Sequence, residues 1–427
     1  MLTQVRKTRR RGALPAAATC ALLILSGTAV SGTAGAAVTP DVAPRPAEQG
    51  WSVDLDTFTD DDAGVRHSDG ALRLDAPPPP DDAAPGAVGP SGQLVAPPVT
   101  LDSSVGAVAA DVDATAPPGT SVLVDVRGRL DAQGPDAWTE WVPAGSALPA
   151  ASDTVQARVT LVGEAGAGPA VREVTLTPQA PRSRSLQDVE AAPASGERSY
   201  RIFATREGLV GGTTANGHVI TPRDHFVALP SRRGLSSNSS GSYSVRVCAE
   251  STGRCAYAPV WDVGPWNITD DYWNPAGTRQ SWTDLPQGKP EAQAAYQDGY
   301  NGGLDGYGRR VANPAGIDLA DGTFWDGLGL TDNAWTTVTY LWTGSGPRGV
   351  VRTSGGPLTV RSGPGTGYAA KGLAGNYANV VVECTATGST VTGTYGTTDL
   401  WNRIGPGNWV SDAYLNTGSS GPVAPAC

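Results

Sequence analysis

Leu358-Thr359-Val360-Arg361-Ser362-Gly363-Pro364-Gly365-Thr366-Gly367-Tyr368 alternates apolar and polar residues, then breaks on glycine and proline. The alternation is that of a half-buried strand. Gly-Pro-Gly forces a tight turn at which glycine admits φ > 0. A hydrophobic strand, Val380 to Cys384, follows, and then Trp401 and the run Trp409-Val410-Ser411-Asp412-Ala413-Tyr414-Leu415. Short strands at this spacing predict a small β-barrel over 350–427.

The same grammar extends toward the N-terminus. Glycine (55) and proline (35) are abundant, Met (1) and Phe (4) are scarce, and long amphipathic helical patterns are nearly absent. That mix predicts a mainly β chain with many turns. Strand patterns at Ala71–Leu74, Val105–Val112, Ser121–Val126, Thr154–Val162 and Val171–Leu176 predict a β-sandwich over 51–178. Trp138 and Trp141 flank Glu140, either as a sugar-stacking edge or as core tryptophans of a strand. Residues 179–198 read as a polar linker, 199–343 as a second β-rich unit, and Thr343 to Gly349 as a short break before the last unit.

The first residues carry Arg6, Lys7, Arg9, Arg10 and Arg11, an apolar run from Ala13 to Val30 follows, and Ala34-Gly35-Ala36 ends it. That order predicts a secretory signal peptide over 1–36 and a secreted, extracellular or wall-associated product. Thr8-Arg9-Arg10-Arg11 reads either as a twin-arginine signal or as an ordinary basic region. Removing those five positive charges from a formal net charge of −10 leaves −15. Such a chain is repelled by nucleic acid and by anionic membranes, and neither is an expected partner. Four cysteines remain, and sequence proximity selects the disulfides Cys248–Cys255 and Cys384–Cys427. Cys-x6-Cys is not zinc spacing, so no metal or other cofactor is expected. A monomer is expected.

The C-terminal run resembles the bacterial Src-homology-3-like (SH3b) domain. Its L-x-V-R-S-G-P-G-T-x-Y stretch and its W-V-x-D-x-Y close are both present. The resemblance implies an SH3-like barrel that binds peptidoglycan peptides or cross-bridges, with Tyr368, Trp401 and Tyr414 as groove aromatics. Trp401 reads equally as barrel core, and Arg361 reads as a turn-stabilising side chain.

The middle unit holds Thr214-Ala215-Asn216-Gly217, then Asp224-His225-Phe226-Val227-Ala228-Leu229-Pro230, then Trp261-Asp262-Val263-Gly264-Pro265-Trp266 and Gly316-Ile317-Asp318-Leu319. This order resembles the double-psi β-barrel of rare-lipoprotein-A-like (RlpA-like) lytic transglycosylases, whose fold is related to that of expansins. On that resemblance Asp262 is the catalytic aspartate, His225 its partner after a one-residue shift, and Asp318 a supporting carboxylate. Ala320 and Val263 depart from the usual Ser and Arg, and about fifty residues are inserted between Trp266 and Ala315. Asp-x-Gly-Pro is also ordinary turn chemistry.

Hydrolysis of a glycosidic bond takes two carboxylates, whereas a lytic transglycosylase manages with one acid because the muramic sugar's own hydroxyl attacks. Asp262 lies between Trp261 and Trp266, an apolar setting that would raise its pKa. Asp224 is the expected second carboxylate if the enzyme hydrolyses. Trp266, Tyr272, Trp273 and Trp282 fall in the insertion and are candidates for a glycan-stacking platform, while Trp325, Trp335 and Trp342 read as core. His218 reads as a surface turn residue. The expected function is lytic-transglycosylase-like cleavage of peptidoglycan or another wall polysaccharide. The alternative is a non-catalytic, expansin-like or wall-binding protein, and a surface-presented protein–protein module is a third reading.

Overall fold

The computed structural model describes residues 49–75, 91–164, 167–180 and 196–427. The expected signal peptide and most of the expected linker lie outside them. The chain is mainly β, as its turn-rich composition predicts.

Nine strands between Trp51 and Gln179 form one hydrogen-bonded sheet. Register shifts in Val99–Thr115 bend it over a core of Leu72, Leu94, Val108, Val159, Leu161 and Val174. Trp141 leaves this region and enters the core of the next unit. Its indole N–H donates to the Leu235 carbonyl at 3.3 Å, and the Arg127 and Arg158 guanidiniums lie 4.4 and 4.5 Å from its ring centre. Trp138 is also buried. The core reading of this pair therefore holds, and the sugar-edge reading falls.

Six strands then close a barrel: β1 (Arg198–Arg206), β2 (Val227–Leu229), β3 (Ser244–Ala249), β4 (Cys255–Val263), β5 (Ala315–Leu319) and β6 (Ala334–Tyr340). Their order is β2-β5-β1-β6-β3-β4, and β4 pairs again with β2. The β1–β5 and β2–β4 pairings are parallel and the others antiparallel. Ile202, Val227, Leu229, Val245, Val260, Ile317, Leu319 and Val338 fill the interior. The Cys248–Cys255 disulfide joins two directly paired residues of the β3–β4 hairpin.

The insertion between β4 and β5 holds one α-helix, Glu291–Asp298, which starts after Pro290 and ends on Gly299 in the left-handed region. Charge pairs fix this insertion. Asp270 meets Arg279 at 2.5 Å and accepts from the Glu291 amide at 2.6 Å, and Asp271 meets Arg233 at 2.6 Å.

The expected break after Thr343 is only a turn. Arg348 is buried and donates to the carbonyls of Leu341 and Gly344. It opens the strand Arg348–Val351, which pairs with Asn379–Val381 and Leu415–Asn416. The remaining C-terminal strands continue the sheet of the central barrel, because β4 pairs in parallel with Ala370–Ala374. Tyr257 and Leu341 of the central unit sit in the C-terminal core with Val360, Val380 and Val410. The Cys384–Cys427 disulfide forms as expected.

That shared sheet needs a glycine at 372. A methyl group on Gly372 would overlap the Cys255 carbonyl oxygen, which is backbone and has nowhere to move. Gly372→Ala is expected to cost about 1–3 kcal/mol, read as a lower urea midpoint at unchanged m-value.

Candidate functional site

The strand registers build one row of side chains across four strands. Thr205 of β1 pairs with Asp318 of β5, Asp318 with Ala228 of β2, and Ala228 with Asp262 of β4. Alternation fixes the face. Ile317, Leu319, Val227 and Leu229 point inward, so Asp318 and Ala228 point outward. Asp262 joins them through a bulge: Val227 pairs with Val260, but the next residue, Ala228, pairs with Asp262. Trp261 is the extra residue and turns aside into a cluster with Ile220, Phe226 and Ala320. Without this bulge Asp262 would face the barrel interior. Ala228 presents only a methyl between the two carboxylates and is itself buried.

Glu207, the residue after β1, completes the group. Its amide donates to the Leu319 carbonyl at 2.9 Å, and its side chain meets the Asp262 carboxyl. Two carboxyls share a hydrogen bond only when one keeps its proton. Burial pushes Glu207 well above the ordinary range, and the charges of Asp262, Asp318 and Asp321 add to this. Asp262 is also raised by burial. Acting against that rise are the hydrogen bond from Glu207, the amides of Val263 (2.8 Å) and Ala215 (2.7 Å), and the charge of Arg232. Both carboxyls are thus raised, Glu207 further than Asp262, and the two titrate as a pair. Burial pushes Asp318 to about 7, against a hydrogen bond from the Thr205 hydroxyl, and the Asp262 charge raises it further. Asp262 and Asp318 remain partly open to solvent, whereas both carboxyl oxygens of Glu207 are buried. Asp321, beside them, is held by Arg206 at 2.8 Å.

The other expected site residues stand apart from this row. The strongest charged neighbours of His225 are Asp326, Asp224 and Arg223, and burial lowers its pKa to about 4. It precedes a strand that runs parallel to β4, so it lies toward the far end from Asp262. The expected His225–Asp262 partnership is thus corrected. Asp224 is not the second carboxylate either. It binds His218 Nε2 at 2.7 Å and the Thr221 amide and hydroxyl, each at 2.7 Å. His218 is no free turn residue, since its ring also lies 4.7 Å from that of Trp261. The carboxyl that neighbours Asp262 is that of Glu207. Its signal in the sequence is slight, an acid between the end of a strand and Gly208.

The expected aromatic platform is corrected as well. Tyr272 and Trp273 are fully buried in the barrel core and Trp266 is 7% exposed, so none offers a ring face to a glycan. The Tyr272 hydroxyl donates to the Gly316 carbonyl at 2.8 Å, and the Trp273 indole to Glu140 at 2.5 Å. Trp282 alone of the four keeps partial exposure. Trp325, read as core, is instead 37% exposed, with the Arg206 and Arg223 guanidiniums 4.8 and 4.5 Å from its ring centre. Trp335 is half-buried, and Trp342 is buried as expected.

In the C-terminal unit a groove of about 360 Å3 is lined by Trp401, Tyr414, Arg361 and the loop Thr353–Pro357. Trp401 is buried as its floor and donates to the Ser389 carbonyl at 2.9 Å. Tyr368 is half exposed but lies outside the groove. Arg361 donates to the Tyr368 carbonyl at 2.9 Å, the turn-stabilising role expected of it.

Residues 198–339, the span of the six-stranded barrel, match a family described as a domain of unknown function, DUF8814. The chain is also similar to the uncharacterized protein YraI of Bacillus subtilis (strain 168), at 42% identity over 87 residues, 18% of this chain and 72% of the relative. The uncharacterized protein YraJ of the same organism is 43% identical over 86 residues, 18% of this chain and 73% of the relative.

The raised Asp318 sets a pH dependence. A carboxyl whose folded pKa exceeds its unfolded value binds more protons in the native state, so stability falls as pH rises from about 4 through about 7. Asp318→Asn, which keeps an acceptor for Thr205, is expected to gain about 1 kcal/mol over wild type at pH 8, partial solvent contact limiting the effect, and nothing at pH 4. Urea midpoints at the two pH values measure this.

Proposed function

We propose, for a chain that belongs to the family of the uncharacterized Bacillus subtilis proteins YraI and YraJ, that it is a secreted protein that cleaves peptidoglycan glycan strands by single-acid, lytic-transglycosylase-like chemistry. The observation that carries the reading is the pairing of the buried Glu207 carboxyl with that of Asp262, which is itself partly open to solvent. Hydrolysing glycosidases hold their two carboxyls roughly 5–5.5 Å or 6.5–9.5 Å apart, with sugar or water between them. Carboxyls that share a proton are closer than either spacing, so the pair works as one proton carrier.

The pair gives its proton to the glycosidic oxygen as the C–O bond breaks. The sugar's own hydroxyl then attacks the anomeric carbon, and its proton returns to the pair. The products are an anhydro-sugar end and a free hydroxyl, with no water consumed. Asp318, when ionised, places negative charge beside the oxocarbenium-like centre. Support for the wall as substrate comes from the resemblance of 199–343 to RlpA-like barrels and of 350–427 to SH3b domains. Two disulfides support export, together with the basic, apolar and small residues that open the chain. The C-terminal groove favours a second reading, a non-catalytic wall-binding protein, because it needs no carboxylate.

Incubating residues 37–427 with peptidoglycan sacculi and weighing the soluble muropeptides separates these readings. Wild type is expected to release anhydro-muropeptides, and Glu207→Gln and Asp262→Asn to lower release about 100-fold or more while still sedimenting with sacculi. Reducing-end products would sink the single-acid mechanism. Retained sedimentation with no release by wild type would leave only the wall-binding reading.

A further inference from the structure

The groove of the C-terminal unit is lined by one cation, Arg361, and by no carboxylate. The Arg361 side chain makes one hydrogen bond, from Nη1 to the Tyr368 carbonyl at 2.9 Å, and pairs with no acid among the described residues. Its Nε and Nη2 donors are bound by no other residue. These two donors lie along one edge of the guanidinium, the arrangement that grips a carboxylate in two parallel bonds.

One side of the groove is the loop Thr353–Pro357. Within it Ser354, Gly355 and Gly356 are exposed, and neither their backbone nor the Ser354 hydroxyl bonds to another described residue. A methyl on Gly355 or Gly356 would meet no atom within 4 Å, so a second backbone can come close. A run of unpaired N–H and C=O groups is what an extended peptide pairs with. A glycan is the poorer occupant. Sugar stacking takes an open ring face, whereas Trp401 is 2% exposed and its indole N–H is spent on the Ser389 carbonyl. At about 360 Å3 the groove is near the lower limit of ligand pockets, which restricts it to small side chains.

We propose that the C-terminal groove holds the free end of a wall peptide: Arg361 takes its terminal carboxylate, and the Ser354–Gly356 edge pairs with its backbone. This rests on the reading of the groove as the wall-binding site and is independent of the Glu207–Asp262 pair. A peptide whose end is tied up in a cross-link has no terminal carboxylate to offer, so the groove selects strands that are not cross-linked.

The test titrates residues 37–427 by calorimetry with N-acetyl-D-alanyl-D-alanine and, separately, with its C-terminal amide. The acid is expected to bind about 10-fold or more tighter than the amide. Arg361→Gln should bring the acid down to the level of the amide, and Arg361→Lys, which keeps the charge, should return part of the loss. Ser354→Glu, which sets a negative charge on the exposed loop, should weaken the acid and leave the amide unchanged. Should Arg361→Gln fail to fold, Ser354→Glu, at a side chain without a partner, decides by itself. Equal affinity for acid and amide, or heat from neither, would overturn the proposal. Excess acid is also expected to displace wild type from peptidoglycan sacculi in a sedimentation assay, and binding without displacement would overturn the wall peptide as occupant. A wild type that does not sediment with sacculi refutes the wall-binding reading and the wall peptide with it, whereas the acid–amide comparison still decides the role of Arg361.

Discussion

Closure of the central barrel depends on the parallel pairing of β2 with β4 and on the bulge within it. A strand of three residues, Val227–Leu229, bridges two longer neighbours, and all three of its residues are buried. Before the bulge, Val260 faces the core opposite Val227. After it, Asp262 faces outward beside Ala228. One added residue thus lets a single strand serve both the apolar interior and the charged exterior. Inserting an unpaired residue costs ladder hydrogen bonds, and burying Trp261 against Phe226 and Ile220 offsets that loss.

The second constraint is that little in this chain is modular. The described residues fall within one compact unit. Trp141 of the N-terminal region fills the barrel core, and Tyr257 of the barrel fills the C-terminal core. β4 belongs to both barrels by hydrogen bonding. A C-terminal groove attached in this way cannot swing on a tether.

Burying so many charges needs partners, and the insertion shows how they are supplied. Asp270, Asp271, Arg233 and Arg279 are all buried and answer one another within about fifty residues of chain. Glu291, wholly enclosed, is pushed up to about 7 by burial against a hydrogen bond from Asn267. The insertion is therefore a brace for the barrel: the rings of Trp266, Tyr272 and Trp273 are buried, while those of Tyr296 and Tyr307 are exposed.

The sequence by itself determined the strands, the turns, the mainly β class, both disulfide pairs and two of the three clustered carboxylates, Asp262 and Asp318. These follow from local rules, since alternation, glycine and proline, and cysteine proximity act over a few residues. Only the tertiary structure decided which residues meet. Glu207 lies 55 positions before Asp262 and carries no motif, so its contact exists only through the register of β1 on β5 and of β2 on β4. His225 and Asp224 have motif-like settings yet face other partners. Tyr272 and Trp273 read as exposed because loops are usually polar, and the fold buried them because their rings complete a core no local pattern describes. Register and long-range packing are sums over distant residues, and the site depends on them.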